Sequence, residues 1–124
     1  MKLKVRGVAR FYYATCYSIK GLKAAFKHEP AFQYEVIAFA VLFPLAFWVA
    51  QTATQWALLV GSALLVLILE LINSAIEAVV DRAGTEFNEL AGRAKDLGSA
   101  AVMLGLMVTG AVWAGIIIDN QGWL

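Results

Sequence analysis

Cysteine, charge and the usual nucleotide-binding motifs are all scarce in this sequence. The single cysteine, Cys16, excludes an intrachain disulfide and a cysteine-rich metal site, and we expect it to be a small apolar residue on a helix. Charged residues make up only 15% of the chain and the formal net charge is +1. Bulk charge therefore indicates no particular partner, and no nucleic-acid partner is expected.

Motifs of soluble nucleotide-binding proteins are absent as well. The chain contains no G-x-x-x-x-G-K-[ST] loop, no G-x-G-x-x-G, and no H-R-D or D-F-G set. Residues 1–6 include three basic side chains, but they are not followed by an apolar core and a small-residue cleavage site. We therefore expect no signal peptide there.

Hydrophobic residues, in contrast, are abundant. They make up 61% of the 124 residues, and the mean hydropathy is +0.72. A chain this short cannot bury that much apolar surface in a water-soluble core. Because a spanning helix needs about 20 apolar residues, three stretches qualify as membrane helices, at about 31–50, 56–80 and 98–118. We predict an all-α membrane protein with one domain over 1–124.

Basic residues predict how these spans are oriented. Seven of the ten lie between Lys2 and Lys27, and the other three lie within the loop at 81–96. Under the positive-inside rule, the N-terminus and this loop face the cytoplasm, and the C-terminus faces outward. Trp48, Trp56 and Trp123 then form an aromatic belt at the outer interface.

An amphipathic helix is predicted at about 6–28, before the first span. Lys20, Lys23 and Lys27 form one stripe, as expected of a helix lying at the membrane interface. Apolar residues recur beside it at Val8, Phe11, Tyr12, Ile19, Leu22 and Phe26. This helix is either a plain membrane anchor or one wall of a site entered from the lipid surface.

The second span carries a polar stripe. Glu70, Asn73, Glu77 and Asp81 occur at i, i+3, i+7 and i+11, so they share one helix face that extends inward from the cytoplasmic end. A carboxylate as deep as Glu70 costs about 2.5–3.5 kcal/mol on insertion scales and normally marks a functional site. Two alternatives remain, in which Asn73 joins helices and Asp81 is simply solvated.

The residue types in this stripe favour metal and anion binding. Carboxylates near the interface, with Glu29 as a further one, suit Mg²⁺, which prefers a few carboxylates plus substrate phosphates. Lys95 and Arg10 could meet phosphate charge. A deeper carboxylate could accept a proton from a lipid hydroxyl held at the head-group boundary. The pattern by itself predicts a membrane site for a metal and an anion.

Two segments give the chain a resemblance to a known family. Residues 70–82, E-L-I-N-S-A-I-E-A-V-V-D-R, and 89–101, E-L-A-G-R-A-K-D-L-G-S-A-A, resemble the prokaryotic diacylglycerol kinase family, as do Tyr17-Ser18-x-x-Gly21-Leu22, Ala24-Ala25 and Glu29. The similarity runs from about Arg10 to Trp113. It implies a homotrimer with shared active sites in the inner membrane, which phosphorylates diacylglycerol to phosphatidate with ATP and Mg²⁺.

The resemblance also implies roles for individual residues. By position, Glu70 corresponds to the general base, Asn73 to another residue of the site, and Glu29 and Glu77 to metal ligands. The implied ATP-binding residues are Arg10, Tyr17, Glu29, Glu77, Glu86, Phe87, Asn88, Lys95 and Asp96. The implied lipid-binding residues are Arg10, Ala14, Thr15, Tyr17, Ser18, Ile19, Leu22, Lys23, Ala24, Ala25, Ala31, Phe32, Gln33, Tyr34, Glu35, Glu70, Ser99 and Trp113.

Two positions depart from the family pattern, and two other functions stay open. Pro30 stands where a small helix former is expected, and Tyr34 stands where a polar amide is common, which affects the backbone after Glu29 and nearby lipid contacts. His28 has no matched role and is interpreted as an interface residue. The alternatives are an undecaprenol kinase of the same fold and a proton-coupled transporter that uses Glu70.

Overall fold

The fold is an all-α arrangement, seen in a computed structural model that describes residues 6–84, 86 and 88–122. This part of the chain contains helices α1 (Val8–His28), α2 (Pro30–Val49), α3 (Ala53–Arg82) and α4 (Glu89–Gln121), and no strand. Helices α2, α3 and α4 are long and apolar enough to cross a membrane, which confirms the predicted class of membrane protein. Trp123 and Phe87 lie outside the described residues.

Pro30 starts α2 instead of disturbing it. It occupies the first turn, where the missing N–H of proline leaves no hydrogen bond unmade. Glu29, the residue before it, takes an extended conformation with φ −115° and ψ 101°, as a following proline favours. The Gln33 side-chain amide donates to the Phe26 carbonyl over 2.6 Å. Helices α1 and α2 are therefore joined at the single residue Glu29.

A short capped turn joins α2 to α3. Helix α2 is continuous through Pro44 and ends at Val49. The Thr52 hydroxyl then accepts a hydrogen bond from the Gln55 backbone N–H over 3.1 Å, which caps the start of α3. We call this side of the molecule the turn end, and the opposite side, where α3 leads into α4, the loop end.

Helix α3 is the central helix. Of its most apolar stretch 33% is buried, against 11% in α2 and 6% in α4. Helix α4 packs along α3 through side-chain bonds to backbone carbonyls: Thr109 Oγ1 donates to Ser62 over 2.8 Å, and Trp113 Nε1 to Leu59 over 3.1 Å. In an apolar medium such bonds help to fix one helix against another.

Glycines in α4 differ in their surroundings. Gly105 is buried against Leu69 and Val66 of α3, so a small residue allows close approach there. Gly110 and Gly115 have nothing within 4 Å of an added Cβ among the described residues. Of these three glycines, Gly105 is the one that allows α4 to pack closely against α3.

Candidate active site

Glu70 is buried in the middle of the bundle, and its polar neighbours lead toward the loop end. Its exposed fraction is 6%, although it is ionisable and surrounded by apolar helices. One turn further, the Asn73 side-chain amide donates to Glu77 Oε1 over 3.0 Å. The helical spacing thus puts the three residues on one face, as the sequence predicts.

Four carboxylates lie close enough to interact electrostatically. Glu70 is within range of Glu77 on the same helix, of Glu35 on α2 and of Glu29 at the α1–α2 junction. Ion pairs in the described ranges join Lys95 to Asp81 and Arg93 to Glu89, and none involves these four. Lys95 lies within electrostatic range of Glu77, but among the described residues no ion pair engages the four carboxylates, so they can bind a cation.

The donor set fits Mg²⁺ when water, or substrate phosphate oxygens, complete it. Within the described residues, no group of three or more Asp, Glu, His or Cys side chains is close enough to hold a metal. Mg²⁺ is usually bound by one or two carboxylates together with substrate phosphates. Glu77, oriented by Asn73, and the half-buried Glu29 meet that description.

A groove of about 690 Å³ separates α1 from α3. Its lining combines predicted lipid-binding residues of α1 with residues of α3, and it includes Glu29. The lining residues are Ser18, Gly21, Leu22, Ala24, Ala25, His28, Glu29, Leu71, Ser74, Ala75 and Ala78. A mostly apolar groove with a carboxylate in its lining suits an amphiphile with a polar head.

Ser74 is a candidate that the sequence interpretation missed. It is buried, it lines the groove, and its hydroxyl has no hydrogen-bond partner among the described residues. Four other helical hydroxyls, those of Thr15, Ser18, Ser62 and Thr109, donate to a carbonyl of their own helix, as Ser18 Oγ does to Ala14 over 2.9 Å. The available signal was its spacing, because Ser74 follows Glu70 by four residues and shares its face.

A second cavity, of about 360 Å³, lies at the loop end. Lys95 Nζ and Asp81 Oδ1 are 2.7 Å apart here, so the last residue of the polar stripe pairs with α4, while its side chain stays 64% exposed. Asn88 caps α4 by accepting from the Ala91 N–H over 3.1 Å. The lining residues are Val80, Asp81, Gly84, Glu86, Asn88, Ala91, Gly92 and Lys95. Three predicted ATP-binding residues are therefore brought together.

Other predicted residues lie apart from these two cavities. Neither lining includes Arg10 or Tyr17, both of which are exposed on α1. Phe32 is buried, and the Trp113 indole bonds to a carbonyl of α3. Exposed predicted residues outside both linings include Ala14, Thr15, Ile19, Lys23, Ala31, Tyr34, Asp96 and Ser99. Within one chain the predicted site is thus divided between the carboxylates, the groove, the loop end and the surface of α1.

Gly98 of α4 lies against the polar stripe. It is buried, and a Cβ added to it would collide with Asn73 Oδ1 and lie 3.2 Å from Asn73 Cγ. The same Oδ1 is buried with no hydrogen-bond partner among the described residues. Close packing of α4 on the Asn73 amide thus depends on glycine at this position.

Comparisons with known proteins agree on one family. The family description "prokaryotic diacylglycerol kinase" matches residues 16–117. A diacylglycerol kinase of Haemophilus influenzae is 49% identical over 114 residues, covering 92% of this chain and 97% of that protein. One from Escherichia coli K12 is 45% identical over 116 residues, covering 94% and 95%. One from Helicobacter pylori 26695 is 40% identical over 115 residues, covering 93% and 90%.

Proposed function

The chain belongs to the prokaryotic diacylglycerol kinase family, and we propose that it transfers the terminal phosphoryl group of ATP to the free hydroxyl of diacylglycerol, which forms phosphatidate. The observation that carries this proposal is the identity of 40–49% to diacylglycerol kinases over nearly the whole chain. The cluster of carboxylates around Glu70 supports it, because phosphoryl transfer relies mainly on positioning and charge neutralisation.

In this proposal Glu70 accepts the proton of the lipid hydroxyl as that oxygen attacks the terminal phosphorus of ATP, and the bond from that phosphorus to the bridging oxygen breaks to release ADP. Its burial keeps water away from the carboxylate, and its position on α3 is one turn from the groove residue Ser74. The groove between α1 and α3 holds the polar head of diacylglycerol, and Ser74 can bond to an ester oxygen of that head. The acyl chains extend into the surrounding lipid.

Glu29 and Glu77 would hold Mg²⁺, which when bound neutralises charge on the phosphate oxygens of ATP. Asn73 orients Glu77 through the 3.0 Å hydrogen bond from its amide. Lys95 and Arg10 bind phosphate oxygens through charge-assisted hydrogen bonds. Tyr17, Glu86, Phe87, Asn88 and Asp96 complete the nucleotide site in this proposal.

We further propose a homotrimer of single-domain chains in the bacterial inner membrane, with the N-terminus cytoplasmic and the C-terminus periplasmic. The distribution of basic residues supports the orientation. Two features of the single chain support shared sites: little of the apolar surface of α4 is buried, and Arg10 and Tyr17 lie outside both cavities. A neighbouring chain could supply both the missing contacts and the missing residues.

A lipid kinase assay with two acceptors tests the function. Purified protein in mixed micelles receives labelled ATP, Mg²⁺ and either diacylglycerol or undecaprenol, and the Glu70→Gln variant controls for contaminating kinases. We expect labelled phosphatidate from the unsubstituted protein and none from the Glu70→Gln variant. Labelled undecaprenyl phosphate with unlabelled diacylglycerol would instead establish the polyisoprenol kinase, and transport driven by a proton gradient without ATP would establish the transporter.

A further inference from the structure

Helix α4 packs on the polar stripe at Gly98, a residue without a side chain that borders the proposed site. A Cβ added to Gly98 would overlap the oxygen of the Asn73 amide, Oδ1. The nitrogen of the same amide, Nδ2, donates a hydrogen bond to Glu77. One face of the Asn73 amide is thus set by a hydrogen bond and another by the backbone of α4. Since Asn73 Oδ1 has no hydrogen-bond partner in the described part of the chain, the bond to Glu77 and the steric contact with Gly98 determine how the amide lies.

We propose that Gly98 is a positioning residue that acts through Asn73 on the Glu77 carboxylate and so on cation binding. The proposal rests on the proposed function, in which Glu77 is a metal ligand. With glycine at position 98, the Asn73 amide fits between the helices and holds one oxygen of Glu77, which leaves the second oxygen to face a cation. Partners that orient a metal ligand typically change metal affinity about 10- to 100-fold when they are altered.

A methyl group at position 98 would displace the amide more readily than the helix. The colliding atom, Asn73 Oδ1, is the far end of a flexible side chain, whereas α4 is held on α3 by the bonds of Thr109 and Trp113. Rotation of Asn73 relieves the collision, and it removes the amide from Glu77. The helix itself tolerates the change, because alanine has a higher helix propensity than glycine.

Gly105 provides a matched control two turns further along α4. A Cβ there would meet Leu69 Cδ1 and, at 3.9 Å, Val66 Cγ2, so the collision is of the same kind but purely apolar. Both glycines are buried and both face α3. Only Gly98 touches the polar stripe, so the two Gly→Ala variants separate a packing defect from a change in the orientation of Glu77.

The test compares Gly98→Ala with Gly105→Ala in two measurements. Mn²⁺ is titrated into the purified protein without nucleotide, and the free ion is followed by its electron paramagnetic resonance signal. The Mg²⁺ concentration for half-maximal lipid kinase activity is measured separately. We expect Gly98→Ala to weaken Mn²⁺ binding and to raise the Mg²⁺ requirement about tenfold or more. Gly105→Ala should leave both quantities unchanged, even if it lowers the unfolding temperature.

A double-mutant cycle identifies Asn73 as the intermediary. In an Asn73→Ala background the collision disappears, so Gly98→Ala should cause no further loss of Mn²⁺ affinity. Equal metal constants for Gly98→Ala and the intact protein, additive effects in the cycle, or no Mn²⁺ binding by the intact protein would each overturn the proposal. Because Mn²⁺ binding needs neither lipid nor ATP, failure of the proposed lipid kinase function would be seen separately, in the acceptor assay.

Discussion

The side-chain amide of Asn73 donates a hydrogen bond to Glu77 Oε1 across one turn of α3, over 3.0 Å. Among the described residues of one chain, the hydrogen bond of Asn73 stays within α3, although Gly98 of α4 packs against the same amide. The bond constrains the carboxylate that the proposed mechanism assigns to the metal. An amide donor leaves the negative charge of Glu77 in place, so the carboxylate is held in position and can still bind a cation.

Changing Glu77 to Gln should weaken the binding of Mg²⁺, so that more Mg²⁺ is needed for activity. The amide is close in shape to the carboxylate but carries no charge, so the attraction for Mg²⁺ falls. We expect the Mg²⁺ concentration for half-maximal activity to rise about tenfold or more, measured in the lipid kinase assay at saturating ATP. An unchanged Mg²⁺ requirement would remove Glu77 as a ligand.

Changing Glu70 to Gln should nearly abolish phosphoryl transfer while the protein stays folded. The amide cannot accept the hydroxyl proton, and general-base catalysis typically contributes about 10²- to 10⁴-fold to the rate. The kcat is measured in the lipid kinase assay, where it should fall. ATP binding is measured by calorimetry, where it should be retained. Turnover near that of the intact protein would mean that another group takes the proton.

Changing Lys95 to Met should raise the KM for ATP about tenfold or more, because a charge-assisted hydrogen bond to phosphate is lost. Arg93→Met is the matched control. Arg93 also belongs to α4 and pairs with Glu89 at 3.7 Å, but it lies outside the loop-end cavity that Lys95 lines. Similar KM values for both variants would contradict a specific role of Lys95 in ATP binding.

Changing Ser74 to Ala should leave the protein as stable as before and weaken binding of the lipid. The substitution removes no hydrogen bond of the folded chain, since the Ser74 hydroxyl has no partner among the described residues. We expect the KM for diacylglycerol to rise about three- to tenfold, in line with one ordinary hydrogen bond, with kcat little changed. Ser62→Ala is the contrast: it removes a 3.1 Å bond to the Leu59 carbonyl and should lower the unfolding temperature. An unchanged KM for Ser74→Ala would exclude its contact with the lipid.

Changing Asn120 to Leu should destabilise the turn end without affecting the chemistry. The Asn120 amide donates to the Val49 carbonyl over 2.9 Å, and its oxygen accepts from Gln55 Nε2 over 2.8 Å. Loss of these partly buried bonds should cost about 1–3 kcal/mol of unfolding free energy. The measurement is unfolding in detergent, with Gln121→Leu, an exposed neighbour, as the control. The KM for ATP should stay constant, since the site lies toward the other end of the bundle.

The local elements of this fold could be predicted from the sequence because each depends on short-range rules. Hydropathy over about 20 residues predicts the three long apolar helices. The 3.6-residue period places Glu70, Asn73 and Glu77 on one face whatever surrounds them. Pro30 was expected to disturb the backbone after Glu29, but the structure uses it as the first residue of α2, where a proline fits without loss.

Only the tertiary structure decided which residues of different helices meet. Spacing along one helix says nothing about the rotation and register of the next, so the pairing of Lys95 with Asp81 and the contact of Gly98 with Asn73 were not predictable. The groove between α1 and α3 was not predictable either, and neither was the place of Ser74 in its lining. Hydropathy and helical periodicity along the chain specify a membrane protein with a deep polar stripe. Helix packing, set by side-chain shape and by interhelical hydrogen bonds, decides what that stripe faces.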